Sequence, residues 1–333
     1  MKTDILSIEL PSYTSANLIQ PILWQNDGGE WLAAYNYLDH SISIINFSDR
    51  KYFKQVKLQE AGPDFVDGVR GIAYYREDNF IVAGLKYITI INFDGKVLDR
   101  LRLNDSSSIL KGFDFSLGRL EVNRYSGLQY DATSGQVLLS AVQRGADGRF
   151  VRYIAEVNLA NNKIDLIKVP GFASRDKGES FGNINGFSFR RLNTGFVINP
   201  RYSSEVILIG QGEPGTVYIN SSITSNKAVA YNLNSDKYQS IIDHHNQSVE
   251  FYPIFQNYDQ SYFFRIHKGP IVKPAEKEPF YIIIVNEDFT VREEMVFPEG
   301  YYISPIVSKE GVMFMAFNKH DDKLELIRYR FNQ

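Results

Sequence analysis

The sequence predicts an all-β protein with the β-propeller fold, and three observations support this prediction. Aromatic residues make up 14% of the 333 residues, and aromatic and β-branched side chains favour the half-buried surface of a pleated sheet. Short apolar segments alternate with turn residues along the chain, and helical patterns are weak. The segments group into a repeated module of four strands, which cannot bury both of its faces alone and therefore has to stack on further copies.

The module is clearest between Gly71 and Leu103, where its four strands read GIAYY, NFIVAG, YITIINF and VLDRLRL. In five modules the turn between the third and fourth strands contains Asn followed by Asp, Gly or Asn. These residues accept a positive φ and close hairpins. The five turns are NFSDRK (46–51), NFDGK (92–96), NLANNK (158–163), NLNSDK (232–237) and NEDF (286–289).

We predict a single domain, residues 1–333, that consists of six blades. The fourth module is the least regular. We expect its last three strands in TVYINSSI, KAVAYNLNSDK and YQSIID, and its first strand in either EVILIG or GFSFRR. An extra hairpin around FVINPRYSS leaves seven blades as the alternative. The blades span approximately residues 15–58, 69–103, 124–169, 184–243, 252–297 and 302–331, and residues 4–10 complete the last one.

The two ends of the chain are expected to meet in one blade. The sixth module lacks a fourth strand, and an orphan strand, Asp4 to Leu10, precedes the first module. Pairing of this strand with the segment from Lys323 to Phe331 closes the ring and protects sheet edges that otherwise invite aggregation.

Composition excludes several classes of function. The chain has no cysteine, which excludes disulfides, thiolate metal sites and cysteine nucleophiles. Its net charge is −3 and it has no block of like charge, so we expect no nucleic-acid partner. No apolar run is long enough for a membrane helix, and the first residues, MKTDILSIELPSY, contain no continuous apolar signal core. The protein is therefore cytoplasmic if this N-terminus is native, or a leader has been trimmed from it.

Two glycine motifs resemble sites of chemistry. GQGEPGTV (210–217) matches G-x-G-x-x-G, but the β-branched and aromatic TVYIN follows it, whereas a dinucleotide site requires a helix there. GESFG (178–182) matches G-x-S-x-G but lies in a polar loop, without the strand and helix of a nucleophile elbow. We interpret both as turns and predict no cofactor and no metal ligands.

The five histidines all fall in predicted loops that share one face of a propeller. His40, His267 and His320 follow second strands, and His244 and His245 lie between two blades. Imidazole beside carboxylate fits metal binding or proton transfer, although polar residues gather in loops in any case. The carboxylates nearby are Asp39, Asp243, Glu250, Asp321 and Asp322. The candidate ligand-binding residues are His40, His244, His245, Arg265, His267 and His320.

Several stretches also carry a family resemblance. LQEAGPDFVDGVRGIAYY and INFDGKVLDRLRL lie in the first third, and FYPIFQNYDQSYFFRIHKGP, FYIIIVNEDFTVREEMVFPEGYY and SKEGVMFMAF in the last. They resemble a bacterial propeller family known as domain of unknown function 4221, of the six-bladed TolB-like type. This chain departs from the family pattern at Asn286-Glu287-Asp288 and at Val312. Arg265 and His267 lie in its most recognisable stretch. The resemblance implies a cell-envelope protein whose lipid-bearing residue is removed with its leader, and it implies no activity or catalytic residue.

We therefore expect a non-catalytic binding propeller of the bacterial cell envelope, periplasmic or on the cell surface. It holds a protein, peptide or glycan on one face, contacts a membrane only through the removed lipid anchor, and is a monomer. The alternative is a propeller hydrolase or lyase with a His/carboxylate site at the channel mouth. A fold alone does not decide between them. The enzyme requires a deep pocket with converging acid and base groups, and the binding protein a broader surface.

Overall fold

The structure of the protein is a computed structural model. It describes residues 2–11, 18–103, 113, 118–122, 127–145, 150–172, 180–181, 186–210, 212–231, 238–271, 277–316 and 322–330. The chain divides into two compact units. Unit one comprises Met1–Val169 and Gly300–Gln333, and unit two comprises Pro170–Glu299.

Unit one contains four antiparallel sheets. In the first sheet, strands from both ends of the chain pair in the order β1-β25-β24-β23. The second and third sheets contain β2 to β5 and β6 to β9, each in chain order. The fourth has the order β10-β12-β13-β14, and β11 pairs with β12 beside β10. The strands are β1 (Lys2–Glu9), β2 (Leu18–Asn26), β3 (Gly29–Asn36), β4 (Ser41–Asn46), β5 (Lys51–Lys57), β6 (Gly71–Tyr74), β7 (Asn79–Ala83), β8 (Tyr87–Asn92), β9 (Val97–Arg102), β10 (Gly118–Glu121), β11 (Gln129–Asp131), β12 (Gln136–Arg144), β13 (Phe150–Asn158), β14 (Lys163–Lys168), β23 (Tyr301–Ser308), β24 (Gly311–Ala316) and β25 (Lys323–Arg330).

Unit two contains two four-stranded antiparallel sheets, β15 to β18 and β19 to β22, with a helix between them in the chain. With the four sheets of unit one they are the six blades of a β-propeller, so the predicted all-β fold and its six blades are confirmed. The elements are β15 (Phe187–Leu192), β16 (Gly195–Pro200), β17 (Glu205–Ile209), β18 (Gly215–Tyr218), α1 (Tyr238–Gln247), β19 (Glu250–Gln256), β20 (Tyr262–Lys268), β21 (Phe280–Asn286) and β22 (Val291–Val296).

The predicted pairing of the chain ends is confirmed. β1 runs antiparallel to β25, from Lys2 opposite Arg330 to Glu9 opposite Lys323. Side chains alternate along β1 with the period of two that a strand imposes: Ile8 is fully buried, whereas Ile5 is 60% exposed. At the edge, Arg328 Nε donates to Asp4 Oδ1 at 3.0 Å.

The recurring Asn stabilises the hairpins through its side chain. Asn46, Asn92 and Asn158 each accept a hydrogen bond from a backbone N–H of their own turn, which is the Asx-turn arrangement. The positive φ falls on Gly95 and Asn162 in two of these hairpins, but on Arg50 in the third and on Phe289 in the NEDF turn. The Asn bond closes the turn, which lets residues other than Gly and Asn occupy the left-handed position.

The fourth blade differs from its prediction. GFSFRR is its first strand, and FVINP and EVILI are its second and third strands, so the blade ends at Tyr218 rather than near residue 243. KAVAY forms only an isolated bridge at Lys227, NLNSDK lies outside the described residues, and YQSIID begins α1. The predicted strand in YQSIID was wrong because its two isoleucines are adjacent and do not alternate with polar residues as in a half-buried strand.

Candidate functional site

The structure places the six candidate residues in different settings. His320 lies outside the described residues. His40 lies in the turn between β3 and β4, as expected, and both of its ring nitrogens have local partners. Nδ1 lies 2.8 Å from the Tyr35 hydroxyl, and Nε2 lies 3.3 Å from the carbonyl oxygen of Val66. This ring connects neighbouring segments of unit one.

His244 and His245 lie in α1 and not in a loop, which corrects the prediction for both. His244 Nε2 donates to the carbonyl of Val229 at 2.7 Å and lies 3.3 Å from Ser248 Oγ. The ring of Tyr231 meets it edge-on at 5.1 Å. His244 therefore attaches the helix to the segment that precedes it in the chain.

Arg265 and His267 lie within β20, and the predicted loop position of His267 was wrong. β20 extends to Lys268 and is buried continuously from Phe263 onward, so both residues are part of the sheet. The fully buried guanidinium of Arg265 donates to the carbonyls of Pro200, Ser203 and Ser204 at 3.0–3.3 Å. It also lies 4.3 Å from the centre of the Phe251 ring. Burial lowers the pKa of Arg265 to about 9, and the carbonyl oxygens compensate for part of the lost hydration.

His267 is the middle ring of a stack across three strands. Phe251, His267 and Tyr281 occupy paired positions on β19, β20 and β21. Ring centres are 5.5 Å apart between Phe251 and His267, and 5.2 Å apart between His267 and Tyr281. Both nitrogens of the fully buried His267 ring lack hydrogen-bond partners. Burial lowers the pKa of His267 to about 4, even though Glu294 favours the protonated ring.

Glu294, on β22, belongs to the same buried cluster. Its Oε1 lies 3.4 Å from His267 Nε2. The carboxylate accepts hydrogen bonds from Ser221 Oγ at 2.5 Å, from the Ser222 backbone N–H at 2.6 Å and from Ser222 Oγ at 2.7 Å. Burial alone raises the pKa of Glu294, but these bonds outweigh it and the net pKa is lowered.

His245 is the candidate histidine of unit two that solvent reaches, with a side chain that is 35% exposed. Its Nε2 lies 3.1 Å from Glu278 Oε1 and its Nδ1 lies 3.6 Å from Glu250 Oε2. The buried Glu250 also forms an ion pair with Arg201, and Lys268 Nζ donates to the backbone carbonyl of His245 at 2.5 Å. We name Arg201, His245, Glu250, Arg265, His267, Lys268, Glu278 and Glu294 the polar network.

The polar network is mostly closed to substrates. A general acid or base has to come within hydrogen-bond reach of the proton that it transfers, and His267 and Arg265 are fully buried. Among the residues that the structure describes, no group of three or more His, Cys, Asp or Glu side chains is arranged to hold a metal ion.

A second region, in unit one, is open. A cleft of about 520 Å³ lies between the blade of β2 to β5 and the blade of β6 to β9. We name it the aromatic cleft. Aromatic rings and charged side chains line it, together with Asn26, Asn79, Asn92 and Leu98: the rings are Trp24, Trp31, Phe53 and Phe93, and the charged residues are Lys54, Glu77, Asp78 and Asp94.

Both tryptophans of the chain lie in this cleft. Trp24 on β2 and Trp31 on β3 are directly paired across the hairpin, with ring centres 6.3 Å apart. Trp24 also stacks on Tyr74 at 4.8 Å, and Phe53 meets Trp31 edge-on at 5.1 Å. Trp31 Nε1 donates to Asn26 Oδ1 at 2.9 Å, whereas the buried Nε1 of Trp24 has no hydrogen-bond partner.

The acidic side of the cleft is a hairpin tip with unusual backbone. Glu77 and Asp78 join β6 to β7, and their φ angles are 44° and 59°. Asn79 N–H donates to the Arg76 carbonyl at 2.9 Å, which closes the turn. Two consecutive positive φ angles define a mirror-image turn in which Asn-Gly is preferred. Asp is common at positive φ in such turns, whereas Glu77 is less usual there, and backbone strain of this kind clusters at functional sites.

None of the cleft residues was among the sequence candidates. The available signal was the hairpin WQNDGGEW, whose two tryptophans flank a short polar turn and are therefore cross-strand neighbours. The residues around Glu294 had no comparable signal, because Ser221 and Ser222 are more than seventy positions away in the chain.

Comparison with known families identifies the chain's relatives. The family model described as Domain of unknown function (DUF4221) matches residues 6–295. The chain belongs to this family. A DUF4221 member from Bacteroides vulgatus has a similar structure, with a TM-score of 0.75, 16% identity, and coverage of 98% of this chain and 96% of that chain.

Two further solved structures share the fold with this DUF4221 chain. A presumed exported protein from Bacteroides fragilis matches with a TM-score of 0.56 and 10% identity over 99% of this chain and 96% of that chain. Regucalcin from Agrobacterium tumefaciens, a calcium-binding protein, matches with a TM-score of 0.50 and 9% identity over 98% of this chain and 96% of that chain. No curated protein matches the sequence. Among the described residues, no helix has the length and apolarity needed to span a bilayer.

Proposed function

We propose that this DUF4221 chain is a non-catalytic ligand-binding propeller and that its ligand occupies the aromatic cleft. The observation that carries the proposal is the cleft itself, which is open and is lined by four aromatic rings and by charged and amide side chains. Its volume of about 520 Å³ lies within the roughly 300–1,000 Å³ typical of ligand sites.

The polar network supports a binding function over a hydrolase or lyase. Such an enzyme needs an acid and a base that both reach the substrate. Arg265 and His244 bond to backbone carbonyls, and His267 is enclosed between two rings. His245 is the accessible candidate of unit two, and its imidazole already contacts Glu278.

The proposed location is the periplasm or the cell surface, with a lipid anchor attached before trimming. The presumed export of the Bacteroides fragilis protein, which has the same fold, supports an envelope location. The test is metabolic labelling with radioactive palmitate in a native host, followed by membrane fractionation. Label on a membrane-associated form supports the anchor, and an unlabelled protein confined to the cytoplasm contradicts the envelope location.

A binding array tests the proposed site. The protein and its Trp31→Ala and Phe53→Ala variants are applied to glycan and peptide arrays, with Phe150→Ala as the control, because Phe150 is a 72% exposed aromatic residue outside the cleft. Each truncation in the cleft is expected to weaken binding about tenfold or more, since aromatic anchors dominate binding energy. Binding that survives both cleft substitutions, or no binding to any array component, contradicts the proposal.

A further inference from the structure

We propose that the aromatic cleft binds an arginine side chain presented by a peptide segment of another protein. This inference names the ligand of the same cleft and therefore rests on the proposed function. The charge, the turn conformation and the aromatic rings of the cleft support it.

The charges in the cleft do not balance. Lys54 Nζ lies 2.7 Å from Asp94 Oδ1, so these two side chains neutralise each other. Glu77 and Asp78 remain, and no cation of the described residues pairs with either of them. The neighbouring Arg76 lies over the Tyr75 ring, with its guanidinium carbon 4.8 Å from the ring centre. The cleft therefore carries an excess of two negative charges, which complements a cation.

The turn presents this charge. Glu77 and Asp78 both have positive φ angles, and both line the cleft. Asp is a usual residue of such a turn, whereas Glu77 stands where Asn or Asp is preferred. The turn therefore brings two adjacent carboxylates to the lining of the cleft.

The rings favour the same ligand. The face of an aromatic ring is negative and attracts a cation, most strongly at tryptophan. A planar guanidinium stacks on such a ring while its edge donates two parallel hydrogen bonds to a carboxylate, which an ammonium cannot do. A neutral sugar could stack on the same rings but would leave both carboxylates without a counter-charge.

The shape of the cleft favours an arginine within a peptide over a free cation. Phe53 and Leu98 line the cleft and are each more than half exposed. They extend an apolar surface beside the charged pocket, where residues next to the arginine can pack. The arginine is then the anchor of the interface, in line with the enrichment of arginine among binding hot spots.

Tryptophan fluorescence tests this inference directly, because both tryptophans lie in the cleft. The probes are the blocked tripeptide Ala-Arg-Ala and its analogue with citrulline, which keeps the shape of arginine without the charge. We expect saturable changes in emission with the arginine peptide and about tenfold weaker binding of the citrulline peptide. Raising the ionic strength from about 0.02 M to about 0.5 M should weaken the arginine peptide further.

The matched variant removes charge without changing the size of the side chains. Glu77→Gln with Asp78→Asn should weaken the arginine peptide about tenfold and leave the citrulline peptide unchanged. The Phe150→Ala control should bind both peptides as the unmodified protein does. Equal affinity for the two peptides, an unaffected double variant, or no response to the arginine peptide each overturns the arginine assignment.

The proposed function is tested separately by a neutral oligosaccharide, maltotriose, in the same assay. A response to maltotriose that Trp31→Ala abolishes, together with equal or absent peptide binding, overturns the arginine assignment and leaves the cleft as a binding site. Array binding that survives both Trp31→Ala and Phe53→Ala overturns both proposals.

Discussion

The polar network of unit two and the aromatic cleft of unit one differ in the partners of their charged side chains. In the polar network Arg265 is surrounded by carbonyls, Glu294 accepts three hydrogen bonds, and Glu250 pairs with Arg201. In the cleft, Glu77 and Asp78 line an open volume and have no such partners among the described residues. Buried polar groups are normally satisfied within the protein. The difference indicates that the network holds the fold together and that the cleft has partners outside it.

The largest expected effect comes from removing the centre of the network. Arg265→Met removes the guanidinium that donates to the carbonyls of Pro200, Ser203 and Ser204, although the Ser204 carbonyl keeps a bond from the Ile219 N–H. We expect the free energy of unfolding to fall by about 3 kcal/mol, because breaking a buried hydrogen-bond network is among the changes with large effects on stability. Urea denaturation measures this.

The matched control is Arg119→Met, since the Arg119 side chain is 68% exposed. It should change the free energy of unfolding by less than about 0.5 kcal/mol. If both variants lose the same small amount, Arg265 does not hold the network, and the contrast between the two regions fails.

The second effect is a dependence of stability on pH that comes from His267. Its folded pKa is about 4, below the ordinary value of 6.5, so between these values the unfolded chain binds more protons than the folded protein. Stability is therefore highest above pH 6.5 and falls as the pH drops toward 4. The full difference is about 3 kcal/mol. Glu294, whose pKa is lowered, adds its own loss only below its ordinary value of 4.5.

His267→Phe tests this assignment, because it keeps a ring in the stack and removes the titrating group. Urea denaturation at a series of pH values should show a flatter profile between pH 6.5 and pH 4.5 than the unmodified protein shows. Identical slopes in the two proteins would assign the acid sensitivity to other groups.

The smallest expected effect is an increase in the free energy of unfolding, and it comes from substitutions in the cleft. Glu77→Asn with Asp78→Gly places the preferred residues at both positive φ positions. We expect a gain of about 1 kcal/mol in the free energy of unfolding, together with loss of arginine-peptide binding. Denaturation and fluorescence titration measure the two properties on one sample.

A stabilised variant that still binds the peptide would show that the acidic turn has no part in recognition. A destabilised variant would show that the acidic residues serve the fold, as the residues of the polar network do.

The strands of the blades could be predicted well from the sequence, because they depend on patterns among residues that are close together in the chain. Apolar alternation, the Asn turns and the unpaired first strand define β1 to β9 and the pairing of β1 with β25. α1 was missed because it is only ten residues long, so the helical spacing of Tyr238, Ile241 and Ile242 extends over a single face of few turns. The candidate site was harder, since Arg265, His267 and Glu294 acquire their partners from segments distant in the chain.

The residues of the aromatic cleft could be predicted only in part. The facing tryptophans of WQNDGGEW could be inferred from the hairpin alone. The left-handed backbone of Glu77 and Asp78 could not, because Glu is not the usual choice for the first of these positions and Gly is preferred at the second. Glu77 and Asp78 line the same cleft as the tryptophans because of how one blade packs against the next, and no local sequence pattern specifies this packing.

Nuclear magnetic resonance of the two indole N–H groups tests the central claim most directly. In ¹⁵N-labelled protein they give two indole signals, which a Trp31→Phe variant assigns. On titration with the arginine peptide we expect both signals to move, because both tryptophan rings line the cleft. Two indole signals that stay in place at saturating peptide would contradict binding in the aromatic cleft.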